Sequence, residues 1–453
     1  MPYAGTRWPS PLARGQSGEG ELTSATTDQS QVVEGGWFNR DSFVLIAGRG
    51  LRAAAMGILS VLIAIYLGLL GLSTTEIGLV LTLSLVGGVA LSLPATVVGD
   101  LVGRKRLMFV LSLITAVAGV ALIITDHLAW LAAGSFLGGY AATGMNVGPL
   151  LQLEQTALAE VASGKSRTAA FSYLGIVSSA ARALGALAGG LPLLLSRLIG
   201  VDELEAYRIT FGVYVALNLV ATGLYLLITP KIEVKIRAAK KIFNPLASPS
   251  RGRIFGFSFL LGVDSLAGGM IIDPLIAFWL SHRFGMSEGA IAPVIAGSHT
   301  LNMLSLWAAP RIAARFGLLN TMVWTQVVAN GMVLAFGFAP TAPLAIAAWL
   351  FRGLFNEMDV PTRQSYAMAV VAPDERMAMA GITNVGRAVG RTASPALTGL
   401  LWTGATLSVA PFVAASAIKF IYNGALLFGF RDISPPEEQA RRGPATTPPG
   451  DTR

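Results

Sequence analysis

The chain has no cysteine and only three histidines in 453 residues. Disulfides, thiolate metal sites and cysteine nucleophiles are therefore excluded, and a His-rich metal site has too few ligands to be built. No metal and no cofactor is expected. Charge is also scarce: 13% of the residues are Asp, Glu, Lys or Arg, against about 25% in an ordinary soluble domain. What fills the space is apolar, 53% of the chain, with a mean hydropathy of +0.62. Runs long enough to cross a bilayer, about 20 residues each, follow one another almost without pause. The length of this chain counts membrane helices, not globules.

The net charge of +8 does not point to nucleic acid, because the basic residues lie in short loops between apolar runs and not along one arm or face. Residues 1–40 are polar, rich in Ser, Thr and Gly, and lack the apolar core of a secretory signal. They read as a disordered cytoplasmic tail, and the proline-rich, mixed-charge residues 432–453 read the same way.

Apolar runs place twelve helices near 42–71, 76–99, 106–125, 128–152, 168–196, 208–229, 254–281, 288–309, 318–339, 343–361, 377–402 and 408–430. Alternate loops carry the cations: Arg104, Lys105 and Arg106 after span 2, Lys165 and Arg167 after span 4, a basic segment over 231–252 after span 6, and Arg311 and Arg315 after span 8. By the positive-inside rule both termini are expected in the cytoplasm, on a multi-pass protein of the plasma (inner) membrane. The halves also echo one another. LIAIYL at 62–67 returns as LIAFWL at 275–280, and Met145, Asn146 and Val147 return as Met358, Asp359 and Val360 at the same offset. Two six-helix bundles, 41–230 and 253–431, are expected as a parallel repeat about an axis along the membrane normal.

After span 2 comes VVGDLVGRKRLMF, with Asp100 followed by Gly103, Arg104 and Lys105. IAARFGLL at 312–319 is its degenerate copy, with Ala314 at the Asp position and Gly317 at the Gly position. This pattern resembles the loop signature of the major facilitator superfamily, with Leu101 in place of one basic residue. Glu160 and Arg167 match the family's turn after span 4, and Asp374, Glu375 and Arg376 match its partner in the second half. Gly185-Ala-Leu-Ala-Gly189-Gly190 resembles the signature of drug:proton antiporters with Ala186 in place of its proline. The resemblance implies an all-α fold of two pseudo-symmetric six-helix bundles that rock about a central site. It also implies that Asp100, Gly103, Arg104, Lys105, Glu160, Arg167 and Arg376 gate the cytoplasmic side. From the residues alone, interfacial charges that fix topology explain the same positions equally well.

A charge at mid-membrane costs roughly 2.5 to 3.5 kcal/mol on insertion scales, so those present should be paired or face water. The candidates for a substrate and proton pathway are Arg182, Asp264, Asp273, Arg352, Asn356, Asp359, Arg387 and Arg391, with Lys419 and Glu357 nearby in sequence pattern. On one unbroken helix, Arg352, Asn356 and Asp359 would share a face at i, i+4 and i+7. Pro361 should bend or end that helix and leave Arg363 at the cytoplasmic edge. Two readings stay open for these charges: contact with a solute or a proton, or pairing within one half, such as Glu154 with Arg167 and Arg363 with Glu375. Arg49 and Arg52 stay open between the cavity and the cytoplasmic edge, and His299 is expected more as a structural hydrogen-bonder than as a proton carrier.

The expected function is secondary active transport of a small organic solute, coupled to protons, with export slightly favoured. Uptake or exchange of an organic anion is the alternative within the class, and a non-transporting membrane sensor or scaffold is the alternative outside it. No enzyme is expected, since neither a nucleophile with its base nor a Walker A loop is present. The expected partners are a small-molecule substrate, anionic or zwitterionic, protons and membrane lipids. The protein is expected to act as a monomer.

Overall fold

The computed structural model describes residues 39–140, 148–161, 166–229, 232, 250–369, 371, 375–402 and 409–430, without the side chains of 93, 94, 96–101, 159, 160, 166–169, 368, 369 and 376–378. Among the described residues every element is a helix: α1 (Arg40–Leu69), α2 (Thr74–Val102), α3 (Arg104–Ile124), α4 (Leu128–Gly138), α5 (Pro149–Val161), α6 (Ser166–Ala188), α7 (Leu191–Ile199) and α8 (Glu203–Leu226) form a first set. A second set comprises α9 (Arg251–Met270), α10 (Asp273–Phe284), α11 (Glu288–Phe316), α12 (Leu318–Gly337), α13 (Ala342–Asn356), α14 (Asp359–Ala369), α15 (Arg376–Thr392), α16 (Ser394–Leu401) and α17 (Ala410–Phe430). The expected all-α architecture is therefore found. The tails, most of the 231–252 segment and the echo at Met145 to Val147 lie outside the described residues.

Five expected spans are built from two helices each: α4 with α5, α6 with α7, α9 with α10, α13 with α14, and α15 with α16. In every case a proline stands within the first three residues of the second piece: Pro149, Pro192, Pro274, Pro361 or Pro395. Proline has no N–H for the carbonyl four residues back and its ring crowds that carbonyl, yet it is well tolerated in a first turn. At the fourth break the freed carbonyl of Glu357 accepts instead from the N–H of Val360 at 3.2 Å. The sequence reading allowed a bend only at Pro361; the other four breaks correct it.

Eight segments among the described residues are long and apolar enough to cross a membrane. Expected spans 4, 8, 10 and 11 are not among them: α4 is apolar but short, and polar groups interrupt the others, His299 and Asn302 in α11, Arg352, Glu357 and Asp359 around α13 and α14, and Arg387 and Arg391 in α15. Such groups turn inward in a bundle. The turn from α1 to α2 closes at Gly71 with φ +84°, and that from α2 to α3 at Gly103 with φ +101°. These two turns mark opposite ends of α2, called below the Gly71 face and the Gly103 face. At the Gly71 face Ser73 caps α2, and its hydroxyl and backbone N–H both donate to the exposed Glu76 carboxylate.

Lipid tails are as apolar as leucine, so close helix packing, not apolar burial, drives association in a bilayer. The tightest crossings are built on glycine, and the same crossing occurs twice. A Cβ on Gly185 of α6 would lie 1.9 Å from the Ala54 carbonyl oxygen of α1, and one on Gly390 of α15 would lie 2.0 Å from the Gly262 carbonyl oxygen of α9. Gly185→Leu is expected to push α1 from α6 and lower stability by ~1–3 kcal/mol, the usual range for overpacking. A thermal melt of the purified protein in detergent checks this; an unchanged melting temperature would refute the crossing.

Apolar packing divides the molecule unevenly. One core runs through both sets on the Gly71 side and joins Leu62, Tyr66 and Leu67 of α1 with Leu275, Phe278 and Trp279 of α10 and Ile291 and Ile295 of α11. Toward the Gly103 side the packing splits in two. One core holds first-set residues only, among them Leu45, Met108, Leu158 and Tyr225, and the other holds second-set residues only, among them Phe257, Met322, Tyr366 and Phe430.

Candidate functional site

Each set buries its own ion-pair cluster. In the first, Arg52 of α1 donates to Glu154 of α5 at 2.5 Å, and the Tyr225 hydroxyl of α8 donates to the same carboxylate oxygen. Arg49 donates to the Ser178 hydroxyl of α6 at 3.1 Å. In the second, Lys419 of α17 donates to Asp264 of α9 at 2.7 Å, while Arg363 of α14 reaches Asp359 at 2.5 Å and Asp264 at 3.6 Å. The corresponding spans are used in both sets, with the charges exchanged: Arg on span 1 meets Glu on span 4, and Asp on span 7 meets Arg on span 10.

Several expectations are corrected by these pairs. Glu154 joins Arg52, and Arg363 joins Asp359 and Asp264 rather than Glu375, whose carboxylate accepts from the N–H of Ser250 at 3.2 Å. Arg363, Arg49 and Arg52 are all buried within the protein. Asp359 does not share a face with Arg352 on one helix, because the chain turns between Asn356 and Asp359. Asn356 is occupied by that turn: its amide donates to Glu357 at 2.9 Å, and its carbonyl accepts from Gln326 of α12 at 3.0 Å.

A third group lies between the sets. Asp273 is the first residue of α10, where free N–H groups and the helix dipole favour an acid. His299 of α11 approaches it, with Nε2 3.4 Å from the Asp273 carboxylate. Arg352 of α13 lies 8% exposed, its guanidinium 4.5 Å from the centre of the Trp349 ring. The charges acting on Arg352 are those of Asp273, Glu357 and Asp359. Arg391 of α15 feels the charges of Asp264, Glu357, Asp273 and Arg363. From the first set, Arg182 of α6 feels Asp273 and Glu357. The breaks of spans 7 and 10 thus bring two acids, a histidine and arginines from three helices into one electrostatic neighbourhood.

Of the residues expected to gate the cytoplasmic side, the side chains of Asp100, Glu160, Arg167 and Arg376 lie outside the described residues. Gly103 supplies the left-handed turn. Lys105 donates to the Ile228 carbonyl at 2.6 Å and so ties α3 to the end of α8 within the first set. Arg104 is half-buried beside it. Sequence reasoning left out Arg52, Glu154, Arg363 and His299 as site residues. The available signal for the first three was complementary charge on spans that the repeat makes equivalent.

A family model described as Major Facilitator Superfamily matches residues 45–329. An uncharacterized membrane protein of Saccharomyces cerevisiae, YJR124C, is 21% identical over 394 residues, covering 80% of this chain and 88% of that one. Among solved structures, the nucleoside transporter NupG superposes with a TM-score of 0.69 at 15% identity, covering 87% of this chain and 100% of that one. A bacterial homolog of the human lysosomal transporter Spinster, inward-facing and occupied, superposes with a TM-score of 0.66 at 15% identity, covering 86% and 96%. At such identities the structural likeness is one of fold.

Proposed function

The chain belongs to the Major Facilitator Superfamily, transporters and not enzymes, and from that premise we propose that it moves a small organic solute by alternating access with proton coupling. The observation that carries this reading is the division of the apolar core: continuous across both sets on the Gly71 side, separate in each set on the Gly103 side. Apolar packing that joins the two sets at the Gly71 face alone, among the described residues, supports a state closed at that face. Rocking the two sets about the central group would reverse that arrangement without breaking either set's internal ion pairs.

In this reading residues 41–230 and 253–431 are the two moving bundles and 231–252 the basic linker between them. The Gly103 face and both termini lie in the cytoplasm, as the loop cations favour, in the plasma (inner) membrane, and the protein works as a monomer. The loop from Asp100 to Lys105, with Glu160, Arg167 and Arg376, closes the Gly103 face in the opposite state. Export is the favoured direction, on the antiporter-like glycines from Gly185 to Gly190.

Proton coupling is assigned to Asp273 with His299. Asp264 and Asp359 are each held within 4 Å of a lysine or arginine, whereas Asp273 has the histidine as its ion-pair partner among the described residues. An acid locked to a fixed cation is poorly placed to take up and release a proton. In proteoliposomes with an internal pH dye, Asp273→Asn is expected to abolish solute-dependent proton movement, and His299→Gln to shift its pH dependence. Solute exchange, which needs no net proton transfer, should survive Asp273→Asn. Full proton movement in the Asp273→Asn protein would refute the assignment.

A further inference from the structure

Asp264 and Asp359 are each in contact with a cation, Lys419 or Arg363. Asp273 and Glu357 act on Arg182, Arg352 and Arg391 from farther off. A guanidinium shielded from water without a contact partner is costly. A bundle that retains one gains from a bound counter-charge.

Two of these arginines are also poorly satisfied. Arg352 Nε and both Nε and Nη1 of Arg391 are shielded from solvent and have no hydrogen-bond partner. Neither side chain forms an ion pair within 4 Å among the described residues. Their donors are unused, although Asp273 and Glu357 act on both from beyond contact distance. Trp349 lies against the Arg352 guanidinium. A guanidinium stacked in that way keeps its N–H groups directed in its own plane, the geometry that takes a carboxylate or phosphate through two parallel hydrogen bonds.

Resting on the transport reading above, we infer that Arg352 and Arg391 seat an anionic group of the transported solute, a carboxylate or a phosphate. The two side chains come from α13 and α15, and the charges of Asp273 and Glu357 act on both. An anion held by both would tie two helices of the second set, while Arg182 adds attraction from the first. A zwitterion fits as well, with its cationic end toward Asp273 or Glu357, because the inference concerns the anionic end alone.

The test uses the full chain in detergent and in proteoliposomes. Probes come as matched compounds: benzoate with benzamide and benzylamine, succinate with succinamide, and glycerol 3-phosphate with glycerol. Inorganic phosphate is run alone. Anionic members at millimolar concentration are expected to raise the melting temperature of the native chain, while their neutral and cationic counterparts leave it unchanged. Arg352→Gln and Arg391→Gln should each weaken that binding about tenfold or more, the scale of a lost charge-assisted pair. Arg352→Lys, which keeps the charge but not the fork, should recover part of it. Binding of phosphate as tight as that of any organic anion identifies the shared chemistry and assigns the site to phosphate. The inference is overturned if no anion of the set binds, or if neutral members bind as tightly as anionic ones. It is also overturned if anion affinity survives both glutamine substitutions in proteins that still elute as one species. Anions that bind but never enter proteoliposomes would end the transport reading and leave the anion site standing. Uptake of a neutral or cationic solute that both substitutions leave intact would do the reverse.

Discussion

Replacing Glu154 with leucine is expected to cost ~3–5 kcal/mol, the usual penalty for removing one partner of a buried ion pair. Glu154 is fully buried, and it is the acid that accepts from both Arg52 and Tyr225. Without it, Arg52, 8% exposed, retains among the described residues only the Tyr225 hydroxyl at 3.5 Å. Much of the cost is the stranded guanidinium, not the lost bond. The double variant Arg52→Leu, Glu154→Leu should therefore recover most of the stability, since matched apolar side chains can replace a buried pair at little cost. Melting in detergent of the two singles and the double closes the cycle. A double variant no more stable than Glu154→Leu would show that Glu154 acts through packing and that the pair is incidental.

The same cycle on Asp264 should behave differently. Asp264 faces both Lys419 and Arg363, with Arg363 also satisfied by Asp359. Its removal strands Lys419 in the first place, and only Lys419→Leu should rescue it. The comparison tests whether the exchanged polarity of the two sets is a stability device built twice with opposite signs.

The twelve spans were legible because membrane thickness imposes a length and a composition that few other structures meet. The repeat was legible through short echoes, although one of them, at Met145, falls outside the described residues. The breaks were not. Proline alone does not announce them, since α11 carries Pro293 and Pro310 without interruption. At Pro274 and Pro361 the break suits what surrounds it: Asp273 stands at the positive end of α10, and the freed Glu357 carbonyl accepts from the Val360 N–H. That preference is visible only once the neighbouring helices are in place. Misplacing the break in span 10 had a direct consequence: it put Arg352 and Asp359 on one face, whereas Asp359 belongs with Arg363 and Arg352 with Trp349 and Asp273. The central arginines were singled out on expected depth alone, because the cost of a charge in the membrane depends on depth and not on the helix's exact course.

Cross-linking the two sets on the Gly71 side should stop transport altogether. There the Ala396 N–H of α16 donates to the Thr82 hydroxyl of α2 at 2.9 Å, and the Thr74 hydroxyl donates to the Gly399 carbonyl at 3.1 Å. The contact is close enough that a Cβ on Gly399 would meet the Thr74 carbonyl oxygen at 2.4 Å. Residues that share a hydrogen bond of this length across two helices lie within reach of a disulfide or a short bifunctional reagent, and the native chain has no cysteine to interfere. The pair Thr82→Cys, Ala396→Cys, oxidised in proteoliposomes, is therefore expected to hold the Gly71 face shut. Each single variant should keep its activity, the oxidised pair should lose it, and reduction should restore it. Because the bridge replaces neither Arg352 nor Arg391, binding of an anion from the Gly103 side should persist in the oxidised protein. Loss of movement with retention of binding is the signature of a solute that reaches its site from one face and leaves by the other. Turnover that continues at full rate through an intact bridge would mean that the Gly71 contacts never part, and alternating access by rocking of the two sets would fall with them.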